Sequence, residues 1–141
     1  MYLSSLQVGL QSAHCLGEMF LKYPQQSGNR ADMLYDWAHN HKTMILLNGG
    51  YSSDLQALDT LFHHGDNIYP HSSFCESGEA LSGALTCVGV ILPEKIYTRT
   101  EWAMELTRPV PDHAIVQALE IELSPFEIQI CQALSNHGLA R

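Results

Sequence analysis

Residues 84 to 93, Ala-Leu-Thr-Cys-Val-Gly-Val-Ile-Leu-Pro, contain no charged side chain and one hydroxyl. A run of this length, closed by a proline, reads as a strand buried on both faces. Such a strand needs an apolar cover on each side, which restricts the chain to layered folds with helices flanking a sheet. Lys-Thr-Met-Ile-Leu-Leu-Asn-Gly-Gly, residues 42 to 50, is a second short apolar run and the clearest strand in the chain. Residues 67 to 75 form a third candidate, weakened by Pro70.

Helical spacing fills the intervals. From Ser4 to Tyr23, Leu6, Leu10, Ala13, Gly17 and Phe20 or Leu21 recur as an inward stripe, and Ser4 with Gln7 fits a capping box. The small residues Gly9, Ser12, Ala13 and Gly17 predict close approach to a neighbour. Pro24 and Gly28 break this helix, and Ala31 to Asn40 forms a short second one with Leu34, Trp37 and Ala38 inward. Ser53 with Gln56 predicts another capping box, opening a helix to about His63 on Leu55, Leu58, Leu61 and Phe62. Near the end, Asp112 to Leu123 is helical. Ser124-Pro125-Phe126-Glu127 then restarts a helix with N-cap, N1 proline and capping-box glutamate in register. Its stripe of Phe126, Ile130 and Leu134 suits either of two partners, the sheet of its own chain or a neighbouring subunit. Strand, helix, strand in this order is an α/β layer arrangement.

The 141 residues are enough for one core. Cys15, Cys75, Cys87 and Cys131 form no C-x-x-C pair. Cys15 and Cys87 lie in apolar-periodic segments, which favours buried reduced thiols over a disulfide or zinc framework. With no basic, apolar leader and no run of membrane-spanning length, a cytoplasmic protein is expected. Seven basic residues are dispersed among 15 acidic ones, a net charge of −8, so extended nucleic acid is not an expected partner. A small ligand with one or two phosphates remains suited, because helix ends and backbone N–H groups hold anions without net positive charge.

Gln7, Gln11 and His14 share one helix face. It is either a solvated face or part of a pocket. Two neutral helix starts, after Ser4 and after Ser53, and the Asn48-Gly49-Gly50 turn all offer backbone donors, with Asp54 as an opposing charge. His63-His64 and the His39-Asn40-His41 triplet lack metal-ligand spacing, so neither a metal nor a cofactor is expected. No nucleophile elbow, Walker loop or dinucleotide fingerprint is present. His71 near Cys75 reads as packing.

Val8 to Phe20, the 42-to-49 run and Phe74 to Ile96 together resemble the type II peptidyl-tRNA hydrolase family. The resemblance covers about residues 3 to 97. Gln11 and His14 fit the family's helix motif, and Thr86 to Pro93 fits its final strand. Gln7 or Val8 stands where the family has a lysine, and Cys75 or Glu76 where it has an aspartate. The first strand is reduced to residues 1 to 3. The resemblance implies an α/β fold, a small mixed sheet with helices on both faces, over residues 1–108. Residues 109–141 would then be a helical extension suited to oligomerisation. The opening is similar to that of phage-encoded relatives that act as sponges for nucleotide immune signals, of the anti-CBASS type. That likeness implies a non-catalytic homo-oligomer, a dimer or tetramer, in the cytoplasm of an infected bacterium. It would bind a cyclic dinucleotide or an ADP-ribose-type signal and so block antiviral defence. The expected ligand-binding residues are Ser4, Gln7, Gln11, His14, Asn48, Gly49, Gly50, Tyr51, Phe74 and Thr86, with Tyr69 a further stacking ring. Two other readings are an atypical peptidyl-tRNA hydrolase, with His14 as base and Thr86 in support, and an oligomeric scaffold whose tail recruits a protein.

Overall fold

A computed structural model describes residues 3–97 and 123–140. Among them are six α-helices and a two-stranded antiparallel sheet, a small mixed α/β protein. The helix expected from residue 112 lies outside the described residues except for its last residue, Leu123, which is buried.

Helix α1 spans Ser5–Lys22. Its capping box forms as the sequence predicts. The Ser4 hydroxyl accepts the Gln7 N–H at 3.3 Å, and the Gln7 side-chain oxygen accepts the Ser4 N–H at 2.8 Å. The inward stripe is a correction. Leu6 is 74% exposed, Leu10 50% and Leu21 76%, while Gln11, Cys15 and Met19 are buried. At 100° per residue these two sets lie on nearly opposite sides of the helix. Gly9 and Gly17 also face open space; the small residue at the contact is Gly89 in the sheet. A Cβ at Gly89 would sit 3.1 Å from Cys15 Sγ and 3.5 Å from Met19 Cε. The glycine lets the Gln11–Cys15–Met19 ridge settle directly on the strands.

Helix α2, Asn29–Asp36, buries Ala31 and Leu34 and runs into a π-helical turn, Trp37–His41. Trp37 and Ala38 are half-buried, and the Trp37 indole N–H donates to the Thr43 carbonyl at 2.9 Å. Lys42, at φ 60°, ends the turn in the left-handed region.

Residues 42 to 50 do not form the expected strand. Extended chain there makes one β-bridge, Leu47 to Leu139, supported by Asn48 N–H to the Gly138 carbonyl (2.8 Å) and Ala140 N–H to the Leu46 carbonyl (2.9 Å). Its partner is a few residues of tail, too little to build a ladder.

Helix α3, Ser52–Phe62, begins at Tyr51 rather than Ser53. The Asp54 carboxylate accepts the Tyr51 N–H at 2.8 Å, so this helix start carries a negative group and not a neutral one. Strand β1, His71–Cys75, and strand β2, Leu85–Val90, pair with a bulge between Phe74 and Cys75. The short helix α4, Gly78–Leu81, connects them. Pro70 falls just before β1, where no ladder bond is lost.

Side chains alternate across the strands. Ser72 and Gly89 meet α1, whereas Val88 and Val90 pack against the core of Phe62, Tyr69, Ile96, Phe126 and Ile130. Helices therefore cover both faces. Helix α5 is Glu94–Tyr97, and α6 is Pro125–Ser135. The Ser124 hydroxyl caps α6 by accepting the Glu127 N–H at 3.1 Å. Glu127 does not close a capping box; its carboxylate turns inward to Lys95 (3.0 Å) and the Tyr69 hydroxyl (3.2 Å). Burial and then that carboxylate push the Tyr69 phenol up to about 12. Phe126, Ile130 and Leu134 are all buried in the chain's own core.

Candidate functional site

The ten expected ligand residues fall into three places. Ser4 and Gln7 satisfy each other at the start of α1, so that tip offers fewer free donors than its sequence suggests.

Gln11, His14, Phe74 and Thr86 do come together, where the second and third turns of α1 cross the sheet. Gln11 is 7% exposed, and burial obliges its amide to find partners. Its oxygen accepts from the Thr86 hydroxyl at 3.0 Å, and its amide donates to the Glu76 carboxylate. The Thr86 hydroxyl also lies 3.4 Å from the Phe74 carbonyl. The exposed His14 ring packs on Phe74 with centroids 4.6 Å apart. Glu76 is the member that the sequence reading placed only as a substitution. A carboxylate here repels an anionic ligand.

Asn48 and Gly50, with Gly49 and Tyr51 adjoining, belong to a different feature. An open cleft of about 560 Å³ lies between this turn, α3 and the tail. Its walls carry Asn48, Asp54, Asn136 and His137; Ala57, Leu58, Leu61 and Ala133 form an apolar floor. No α1 residue lines it. The turn is held by the Asn48 side-chain oxygen, which accepts the Gly50 N–H at 3.1 Å, and by the Asp54 cap. Gly50 sits at φ 76°, and a Cβ there would approach Asp54 Oδ2 to 2.5 Å, so this position requires glycine. On the opposite wall, His137 Nδ1 is 2.9 Å from the Asn48 carbonyl. A carbonyl only accepts, so Nδ1 carries the proton, and in the neutral ring Nε2 is an acceptor. Asn136 and His137 were missed from sequence because Asn-His-Gly after a helix reads simply as a stop signal.

A second, smaller hollow of about 380 Å³ is lined by Glu18, Leu21, Lys22, His63, Ser72 and Ser73. Beside it, His71 is held down to about 4 by burial first, then by the charges of Lys22, His63 and Arg30. Its imidazole is thus neutral, with the Lys22 ammonium 3.4 Å from one ring nitrogen and the His63 ring 4.7 Å away. The four cysteines are free thiols. Cys15, packed on Ser72, is drawn down to about 7, chiefly by the Cys87 thiol and against the effect of burial; Cys87 is pushed up by the same pairing. Among the described residues no three His, Cys, Asp or Glu side chains gather as a metal site. No described helix is long and apolar enough to cross a membrane.

Comparison with family models, with curated proteins and with solved structures finds no match for this chain.

Proposed function

We propose that this chain is a non-catalytic binder of a small nucleotide, with the nucleoside part seated in the cleft between the Asn48–Tyr51 turn and residues 136 to 139. One observation carries the reading: three polar side chains besides Asp54 converge over an apolar floor in a space of about 560 Å³. That is the size and chemistry of a small-molecule site. Amide side chains read base edges by presenting donor and acceptor together. Tyr51, 81% exposed, adjoins the cleft and offers a face for stacking. The two helix tips are poorly suited to the phosphate, since the Ser4–Gln7 box takes up donors at one and Asp54 occupies the other. The phosphate of such a ligand points to solvent. Sequestration of an immune signal of bacterial antiviral defence, by a phage-type sponge, is the biological form of the same proposal. A homo-oligomer belongs to it as well, supported by Leu6, Leu10 and Leu21, which line one exposed side of α1.

The test is retention. Purified protein is incubated with AMP, GMP, ADP-ribose, cyclic dinucleotides and pyrophosphate, separated from free ligand and heat-denatured, and the released compound is identified. The bound nucleotide comes back intact, and pyrophosphate is not retained. If no nucleoside compound is retained, the proposal falls.

A second reading has its own observation. The exposed His14 is set on Phe74 beside the Gln11–Thr86–Glu76 chain, which supports the reading in which it would act as base of the atypical peptidyl-tRNA hydrolase suggested by the sequence resemblance. Cleavage of peptidyl-tRNA that is lost in His14→Ala would favour it over the binder.

A further inference from the structure

The cleft beside the Asn48–Tyr51 turn has an unusual balance of polar groups. Asp54 uses Oδ2 to accept the Tyr51 N–H, and its other oxygen has no partner among the described residues. His137 Nδ1 donates to the Asn48 carbonyl, and in the neutral ring that leaves Nε2 as an acceptor. Asn48 has its side-chain oxygen engaged by the Gly50 N–H, and the Asn136 backbone N–H donates to the Leu134 carbonyl while its side-chain amide has no hydrogen bond among the described residues. Among the described residues, no lysine or arginine lines the cleft. The lining residues, with His137 in its neutral form, therefore offer a carboxylate oxygen and an imidazole nitrogen as acceptors and two amides that also donate. A phosphate, which only accepts and is negative, meets Asp54 with repulsion and finds no cation among the described lining residues. A group that donates two adjacent hydrogen bonds fits better.

We infer that this cleft selects a nucleotide through the free 2′,3′-cis-diol of its ribose, with Asp54 accepting from the hydroxyls. This rests on the nucleotide-binding reading above and narrows it. Of the two ligand classes considered, the ADP-ribose type has a free vicinal diol. A 3′,5′-linked cyclic dinucleotide has its 3′-oxygens tied up in phosphodiesters and lacks one. A carboxylate bonded to ribose hydroxyls is a recurrent solution in nucleotide sites, because ionised acceptors make hydrogen bonds roughly twice as strong as neutral ones. The position of Asp54 is itself fixed. The helix start needs it as a cap, and Gly50 leaves the space its carboxylate fills. The cap bond thus orients the Asp54 carboxylate before any ligand arrives, which lowers the entropic cost of binding.

The decisive comparison uses the unaltered protein and four probes: AMP, 2′,3′-dideoxy-AMP, 3′,3′-cyclic di-AMP and free D-ribose. Titration calorimetry is expected to show AMP binding at least about tenfold more tightly than the dideoxy analogue, the size of one charge-assisted pair. Cyclic di-AMP should bind no better than the dideoxy compound. Ribose alone should not bind measurably, which separates a nucleoside site from a sugar site. Asp54→Asn keeps an oxygen for the Tyr51 N–H and removes the charge; in that variant the AMP preference should shrink to about twofold or less. Equal affinity for AMP and dideoxy-AMP in the unaltered protein overturns the diol inference and leaves the nucleotide reading standing. If none of the adenine compounds binds, both fall. If ribose binds as tightly as AMP, the site reads a sugar and the inference falls in its nucleotide form.

Discussion

His71 shows how one residue's surroundings set its chemistry. It begins β1, its N–H faces the Tyr23 hydroxyl at 3.5 Å, and its carbonyl accepts from Lys22 at 3.2 Å. Burial and three nearby cationic groups lower its pKa to about 4. In the unfolded chain the same ring takes up a proton near pH 6.5. As pH falls from about 6.5 to 4 the unfolded state gains a proton that the folded state refuses, so stability is lost across that window. The loss is about 3 kcal/mol at most. Urea unfolding at pH 7 and pH 4.5 should show a larger drop in midpoint for the native protein than for His71→Phe, which keeps a ring and cannot be protonated. Equal drops would mean His71 titrates normally. Gln11 makes a related point without charge. A glutamine on a helix reads as solvated, and here it is buried because Thr86 and Glu76 satisfy it from β2 and the turn after β1.

At the scale of the element, α1 carries two candidate faces and buries the less apolar one. Leu6, Leu10 and Leu21 point outward, and the Gln11–Cys15–Met19 ridge lies on the sheet. The strand's Gly89 decides this, since it admits a helix bearing Cys15 and Met19 to close range. Met19→Ala should therefore cost about 2–5 kcal/mol, while Leu21→Ala should stay within about 0.5 kcal/mol, by urea denaturation of dilute protein. Measured at rising protein concentration, a growing cost for Leu21→Ala would indicate that the leucine face is covered in an oligomer. The other helices follow local rules more closely. Ser124 and Pro125 start α6 where the sequence places them, and Phe62 ends α3 one residue short of the expected limit.

At the scale of the whole molecule, α6 closes the core that α3, α5 and the sheet leave open. Ile130 is fully buried among Phe62, Tyr69, Ile96 and their neighbours, and Glu127 is anchored to Tyr69 and Lys95. Because the helix shares one core with elements some 30 to 70 residues earlier, Ile130→Ala should cost about 2–5 kcal/mol and shift the whole transition. Tryptophan fluorescence and far-UV circular dichroism should move together in urea. Separate transitions would mean that α6 folds as its own unit. The tail after α6 also supplies one wall of the cleft, so a ligand there would couple residues 48 to 54 with 136 to 139.

Local pattern determined most of the elements: the capped start of α1, the end of α3 near residue 62, a strand at 85 to 90, and the proline-led start of α6. These depend on capping bonds and side-chain periodicity within a few residues, which the order of amino acids carries by itself. Tertiary structure decided which face of α1 is buried, that residues 42 to 50 pair with the tail instead of entering a sheet, and that Asn48 and Gln11 belong to different sites. Those outcomes depend on what packs opposite, through Gly89, Thr86 and residues 136 to 140. Periodicity records that a face is apolar or polar. It does not record which distant residue will meet that face, because the partner's shape and hydrogen bonds set the free energy of the contact.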